Sequence, residues 1–474
     1  MRRAYGLVSF LIGIPCVWQL HIQAGDLSSH LYNAWLANQV SDGRLPGLYI
    51  VPQFTNVLFD HLLSFLMRLG GPLIAEKIAV LLAVEIFFWG CFALASAMAG
   101  RPAWNATPFL AIAAYGAVFR MGFFNFYLAV GLCSWAIALV WRNHPRFRWL
   151  AIPLLVLAYT AHSIACIWAI GVIGYLLIAR RLRATGRYVL LTASALSIAG
   201  AARIVAVYIQ SRWAPGLHIG ALLGANQALI YGPKYKLIDA SLFCLCVFLL
   251  IRRLEASSNI WQDSSFQLLF LNAVAVLCFP DGIWFPQYHV RLTYIAIRLS
   301  LFSAILFCGV VGRLKMYPAE KAISATLLVF FFSFLYADER AINFVEQEMS
   351  RAIGGLPVGA RVVAPLTDAG IEVPALQHLI DRVCIGRCFD FADYEPPTAQ
   401  FRLRARPGNS YVMTSISDVL NLENAEYVWT NNDIQLYRLA PCDAAKEFCA
   451  HVVQPGERLT NQQVDATPHW WTPR

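Results

Sequence analysis

The stretch that decides the reading is YGLVSFLIGIPCVWQLHI (residues 5–22), followed almost at once by GDLSSHLYNAW (residues 25–35). The first part carries no Asp, Glu, Lys or Arg and is close to the length a helix needs to cross a bilayer. Arg2 and Arg3 precede it, and because no clear A-x-A cleavage site follows, it reads as a retained first span. The second part places Asp26 where the apolar run meets water, at the start of an amphipathic helix, with His30 four residues on and on the same helical face. Asp is also a favoured helix N-cap, and a capping position is a fixed one, so the two roles are compatible.

The whole chain carries the same signature. Of its 474 residues 58% are hydrophobic and 14% charged, against roughly 25% charged in a soluble domain. No water-facing surface absorbs that excess, which excludes a single soluble domain, a disordered chain, a collagen-like repeat and a small disulfide scaffold. The net charge of +9 would point to nucleic acid in a soluble protein. In a membrane chain it marks basic cytoplasmic loops, and no nucleic-acid partner is expected.

Charge density divides the chain near Tyr336. Residues 1–337 hold about 35 charged side chains, roughly a tenth of the stretch, and residues 338–474 hold about 30, roughly 22%. The expected fold is an α-helical polytopic membrane domain over 1–337, with an external first loop at 26–72, and a small α/β soluble domain over 338–474. Candidate spans are Tyr5–Ile22, Ile74–Ala99, Ala106–Phe119, Phe123–Trp141, Trp149–Thr160, Ile164–Ala179, Tyr188–Tyr208, Lys236–Ile251, Phe266–Phe279, Leu292–Val311 and Ala322–Tyr336, about eleven in all.

Basic clusters fall where an alternating path from a cytoplasmic N-terminus needs inside loops: Arg2/Arg3, Arg101, Arg142/Arg146/Arg148, Arg180/Arg181/Arg183/Arg187, Arg252/Arg253 and Arg313/Lys315/Lys321. Loops 26–72, 210–235 and 280–291 and the C-terminal domain are then outside. The stretch 149–179 has basic clusters at both ends and covers roughly 46 Å as helix, short of the ~60 Å two crossings require. Its tip, with Thr160, His162 and Ser163, is therefore expected below the outer surface, beside a wet cavity.

In the soluble part, Asp338–Arg351 and Val373–Val383 read as helices, Arg361–Ala364 as a strand, and Glu426–Thr430 with Ile434–Leu439 as a hairpin. Cys384, Cys388, Cys442 and Cys449 lie there, on the oxidising side, and are expected to form one or two disulfides rather than a metal site. The other cysteines read as apolar filler. No Walker loop, G-x-G-x-x-G after a strand, G-x-S-x-G or H-E-x-x-H occurs, which argues against nucleotide chemistry.

The order of parts, a first span, an acidic residue at once after it, an external loop with helices at Leu27–Val40 and Asn56–Leu69, some ten further spans and an outer C-terminal domain, resembles the GT-C glycosyltransferases. The paired Asp-Glu of several such families is absent, because Leu27 follows Asp26. The resemblance implies a membrane glycosyltransferase at the outer face of a bacterial inner membrane. Its donor would be a sugar on a polyprenyl phosphate, and its acceptor a glycan, lipid or protein.

Transfer from a lipid phosphate requires a base on the acceptor and cations on the leaving phosphate. Asp26 is the expected base and His30 a positioning group. Arg291, Arg298 and Arg203 are the expected phosphate holders, Arg291 and Arg298 two turns apart on one helical face. His162, Asp281, Tyr288 and His289 are expected to line the substrate cavity, although Asp281 also reads as a turn residue. Asp60 and His61 read as caps or decoration of the second external helix. No cofactor is expected, and one carboxylate is a poor metal site. Two readings of other classes share the spans: a transporter or lipid flippase, and a non-catalytic assembly partner.

Overall fold

The computed structural model describes residues 2–213, 219–257, 259–285, 290–368, 373–398, 400–442 and 447–464. The chain is helical over 63% of its length, with a few small sheets. Among the described residues four helices are long and apolar enough to cross a membrane: Leu58–Ala99, Phe124–Arg142, Ala184–Tyr208 and Pro318–Gly354. Shorter apolar helices run Arg3–Cys16, Arg148–Ala161, Ser163–Ala179, Ser264–Cys278 and Ile295–Val311. The chain divides into two compact units, one of residues 1–82, 120–124 and 334–474, the other of residues 83–119 and 125–333.

In the first unit the opening apolar run is shorter as a helix than its composition suggests. The helix Arg2–Gly13 ends in a single tight turn at Ile14–Cys16, with Pro15 inside that turn, and residues 22–24 have no regular secondary structure. Proline removes a helical N–H and crowds the preceding carbonyl, which explains the stop. The helix Leu27–Ser41 follows. Ser28, Ser29, His30 and Asn33 are buried along with Leu27, Leu31 and Leu36, so it is enclosed on all sides rather than amphipathic. The expected second external helix is present from Leu58 and breaks at Gly71 (φ 78°, ψ 177°) before Pro72, where the apolar run toward Ala99 begins.

The C-terminal part of this unit carries a four-stranded sheet ordered Phe448–Val452, Leu436–Pro441, Ala360–Val363, Cys388–Asp390. The first pair is antiparallel and the other two are parallel. Its core joins Val363, Phe391, Met413, Leu422, Trp429, Leu436 and Val453. The strand expected at Arg361–Ala364 is found one residue earlier. The hairpin expected between 426–430 and 434–439 is not: Val428 bridges Arg458 instead, and Leu436–Pro441 turns back onto Phe448–Val452. The Cys442–Cys449 disulfide spans that turn, and Cys384–Cys388 closes the turn between the helix Leu379–Cys384 and the strand Cys388–Asp390. The helix expected over 373–383 is confined to Leu379–Cys384, since Pro374 disfavours helix before it. A short pair, Leu48–Ile50 with Leu403–Ala405, ties the loop after the helix Leu27–Ser41 to the C-terminal segment.

The second unit is a helical bundle. Gly90 and Gly131 allow two backbones to meet: a Cβ on Gly90 would lie 2.3 Å from the Gly131 carbonyl, and one on Gly131 would lie 2.7 Å from the Phe87 Cα. Amides and hydroxyls join its helices. Gln227 donates to the Ile297 carbonyl (2.9 Å) and Ser300 (2.6 Å), Asn272 donates to the Leu299 carbonyl (3.0 Å) and Ser303 (2.8 Å), and Tyr175 donates to Gln267 (2.9 Å). Arg101 donates to the carbonyls of Arg313 (3.0 Å) and Leu314 (2.9 Å), and Arg313 pairs with Asp263 (2.8 Å). Arg252 pairs with Glu320, Arg253 with Asp263 (2.9 Å), Arg187 reaches the Gln262 carbonyl (3.2 Å) and Arg180 the Val140 carbonyl (3.0 Å). A three-stranded antiparallel sheet joins Gln210–Arg212, Gly282–Phe285 and Val290–Leu292.

Candidate active site

Asp26 stands at the N-cap of the helix Leu27–Ser41, yet its side chain makes no capping hydrogen bond. Its backbone is fixed by close approach. Gly25 N–H donates to the Arg120 carbonyl (2.7 Å) and Asp26 N–H to the Met121 carbonyl (3.1 Å). Gly122 has φ +82°, and a Cβ there would lie 2.3 Å from the Asp26 nitrogen, so only glycine fits. The carboxylate is left about 29% exposed, with Oδ1 3.6 Å from Nε2 of His378. His378 in turn places Nδ1 3.3 Å from the buried carboxylate of Asp381 and packs against the Tyr394 ring (5.1 Å between centroids). Burial alone would lower the His378 pKa, but Asp381, Asp26 and Asp393 outweigh it and raise it. A half-open carboxylate backed by a protonatable imidazole, itself braced by a buried carboxylate, is a proton-accepting arrangement.

One turn along, His30 accompanies it differently from the expectation. Its N–H meets the Asp26 carbonyl (2.9 Å), while its ring Nδ1 lies 2.7 Å from Oδ1 of Asp60. Asp60 is thus a partner of the site rather than decoration. Burial works against the charged ring, and the Asp60 carboxylate overcomes it, raising the His30 pKa.

The scaffold around Asp26 is ionic. Arg382, buried one turn beyond His378, donates to the Ile22 carbonyl (3.1 Å), Glu76 (3.0 Å), Gln23 (3.4 Å) and Ser28 (2.7 Å), and its Nε lies 3.0 Å from Glu346. Arg120 pairs with the buried Glu339 and donates to the Gln23 carbonyl (2.6 Å). Asn343 exchanges hydrogen bonds with the His21 backbone (2.9 and 3.0 Å). Residues 21–25 therefore find partners for their backbone groups in side chains and carbonyls from distant parts of the sequence, as a non-helical segment in a protein interior requires.

Behind His378 lies an acid-rich wall. Asp381, Asp390, Asp393 and Glu395 are each at most 4% exposed. Burial, reinforced by the neighbouring carboxylates, pushes Asp390, Asp393 and Glu395 well above the usual carboxylate range. Asn33 Nδ2 holds Asp393 (3.2 Å), and the Tyr32 hydroxyl accepts from the Asp390 N–H (3.0 Å).

The remaining expected site residues lie in the second unit. Arg298 stacks over Phe126 (4.9 Å), and His162 meets the same ring edge-on (5.3 Å). His162 is extended between the helices Ala151–Ala161 and Ser163–Ala179, and its Nδ1 accepts from the Ile164 N–H (3.3 Å), capping the second helix. Arg291 and Arg298 do not share a helical face: Arg291 is in the strand Val290–Leu292, stacked on Trp284 (4.8 Å), and the helix begins only at Ile295, after Tyr294 turns left-handed (φ 58°). Asp281 accepts from the Ile295 N–H (2.9 Å, through its carbonyl) and the Ala296 N–H (3.3 Å, through Oδ1), which makes it a cap of that helix. Arg203 is exposed on the helix Ala184–Tyr208. Tyr288 and His289 lie outside the described residues. Among the described residues no group of three or more His, Cys, Asp or Glu is arranged to hold a metal ion.

No protein-family model, no curated protein and no solved structure matches the chain.

Proposed function

We propose that the chain is a polytopic membrane glycosyltransferase of GT-C type, moving a sugar from a polyprenyl-phosphate donor to an acceptor at the outer face of a bacterial inner membrane. The observation that carries the reading is Asp26: a carboxylate fixed at a helix N-terminus, free of any capping bond, half-open, and backed by His378 and Asp381. Asp26 takes the proton of the acceptor hydroxyl as that oxygen attacks the anomeric carbon, and the donor phosphate leaves. His378, held by Asp381, positions the carboxylate and accepts positive charge beside it; the His30–Asp60 pair fixes the next turn. The leaving phosphate calls for a cation, the part for which the sequence offers Arg291, Arg298 and Arg203.

The eleven-span path with a cytoplasmic N-terminus and an outer C-terminal domain belongs to the same proposal, and two sets of contacts support it. Loops assigned inside by their basic residues touch one another: Arg101 with 313–314, Arg180 with 140, Arg187 with 262, and Arg252 with Glu320. Segments assigned outside pair through strands: 210–212 with 282–285 and 290–292, and 48–50 with 403–405.

The test is transfer of labelled sugar from polyprenyl-phosphate donors by the full chain in vesicles. Asp26→Asn should lower turnover by roughly 10²–10⁴-fold with insertion and thermal unfolding unchanged, the range expected for loss of a positioned base. Full activity in that variant, or substrate accumulation in the vesicle lumen with no covalent product, overturns the assignment.

A further inference from the structure

Beside the His30–Asp60 pair the first unit holds a crevice with room for one water-sized group, lined by Asn33, Asn56, Asp60, Glu395, Phe401 and Arg402. Two of its acceptors are unanswered. Asn33 Oδ1 and Glu395 Oε1 are buried and find no hydrogen-bond partner among the described residues, although their residues are only 5% and 4% exposed. Asn33 is held in place from its other end, Nδ2 donating to the Ser29 carbonyl (3.1 Å) and Asp393 (3.2 Å). Glu395 is held through its own N–H, which donates to Asp393 (3.2 Å). The guanidinium on the rim, Arg402, is already engaged with the Asp60 carbonyl (3.2 Å), Ser64 (2.6 Å) and His61 (3.2 Å). Buried acceptors left without a donor cost free energy, and such a pair in a native structure calls for a ligand that supplies one.

The number of acceptors selects the donor. Asn33, Asp60 and Glu395 line one water-sized space. A hydroxyl supplies a single O–H to it, whereas a primary ammonium supplies three N–H donors and a charge that the neighbouring Asp60 carboxylate favours. We propose that this crevice binds the primary ammonium group of a small molecule, with Glu395, Asn33 and Asp60 as its acceptors. The amine source is a sugar or a lipid headgroup, and the same chemistry recognises either.

The groups that face Glu395 are Asp60, Asp393, Asp381 and Arg402. Burial and the three acids keep its carboxyl protonated above the usual range, so an arriving ammonium takes the ionised form as its partner and the Glu395 proton leaves to solvent. Affinity therefore rises with pH as long as the amine itself stays charged. The inference does not need the transferase reading, because its readout is binding alone.

The experiment is calorimetric titration of the full chain in nanodiscs with ethanolamine and glucosamine, each against its matched alcohol, ethylene glycol and glucose. It is run near pH 6 and near pH 8 in buffers of different ionisation enthalpy. The expected result is that the amines bind about tenfold or more tighter than their alcohols, and tighter at the higher pH, with net proton release. Whichever amine binds tighter identifies the carrier. Glu395→Gln, nearly isosteric, should erase the preference for amine over alcohol while leaving thermal unfolding intact, and Asn33→Ala should reduce it. Equal binding of amine and alcohol in the wild-type chain, no saturable heat from either amine, or a preference that survives Glu395→Gln overturns the proposal. The wild-type comparisons keep it testable should either variant fail to fold.

Discussion

Around Arg382 the first unit closes on itself with full charges: one buried guanidinium binds Glu76, Glu346, Ser28 and the Ile22 carbonyl, and a second, Arg120, pairs with Glu339. In the interior of the second unit the neutral groups Gln227 on Ser300, Asn272 on Ser303 and Tyr175 on Gln267 make such links, while the ion pairs Arg252–Glu320, Arg253–Asp263 and Arg313–Asp263 sit among the Arg-rich loops. The physical difference is in what happens when one partner is removed. A neutral amide that loses its partner leaves one dipole unsatisfied, whereas a buried ion that loses its partner leaves an uncompensated charge.

The largest expected effect follows directly. Arg382→Ala strands Glu76 and Glu346 and should destabilise the first unit by about 3–5 kcal/mol, read by chemical unfolding in detergent. Adding Glu76→Gln and Glu346→Gln to an Arg382→Met background should recover a large part of that loss. No recovery would mean that packing, not charge, dominates this hub, and the contrast between the two units would fall.

Next in size is Gly122→Ala. The new Cβ would meet the Asp26 backbone nitrogen at 2.3 Å from a left-handed residue, and neither side is a flexible chain end. A cost of roughly 1–3 kcal/mol is expected from overpacking, together with loss of transfer activity beyond that of an equally destabilising core variant. If activity tracks stability alone, Gly122 fixes the fold but not the carboxylate.

The helices are more legible in the sequence than the site, for reasons that particular residues make plain. Apolar runs are local, so a helix lies over every candidate span, although the first is cut short by Pro15 and the one over 106–119 is split into Thr107–Ala114 and Ala117–Arg120. Asp26 and His30 are legible because they adjoin such a run. His378, Asp381 and Arg382 are not: Arg382 meets Glu76 across 306 positions and Ser28 across 354, and no periodicity encodes such a contact. A signal does exist in the density of acids at Asp381, Asp390, Asp393 and Glu395 in an otherwise ordinary segment, which is hard to explain as solvated surface once each is buried. The hairpin reading fails because Asn431, Asn432 and Asp433 make a turn in isolation, while the Cys442–Cys449 bond and the parallel pairing to Ala360–Val363 give Leu436–Pro441 different neighbours.

The same charges set a pH dependence in the first unit. His30 and His378 have raised pKa values in the folded chain, so their contribution is complete below the unfolded histidine value and is lost as pH rises through the folded one. Asp390, Asp393 and Glu395 are raised too, and Asp368 is pushed up to about 6, so each binds its proton more tightly folded than unfolded and also favours the fold at lower pH. Both sets act in one direction: stability of this unit should fall as pH is raised from about 5 to about 9, by about 1.4 kcal/mol for each tenfold by which folding tightens the binding of a proton. Asp393→Asn should flatten that slope. A stability maximum near pH 8 in the wild-type chain would contradict the carboxylic-acid wall.

The smallest expected effect lies across the comparison. Asn272→Ala in the second unit removes the hydrogen bonds to the Leu299 carbonyl and Ser303 but leaves no charge behind. Hydrogen bonds between membrane helices average about 0.6 kcal/mol, because the separated helices find other partners, so the loss should be near that value and independent of pH. Ser303→Ala removes only the second of these bonds and should cost less, and the double variant little more than Asn272→Ala alone, since that bond is already lost. A loss approaching that of Arg382→Ala would show that neutral groups carry as much of the second unit as ions carry of the first.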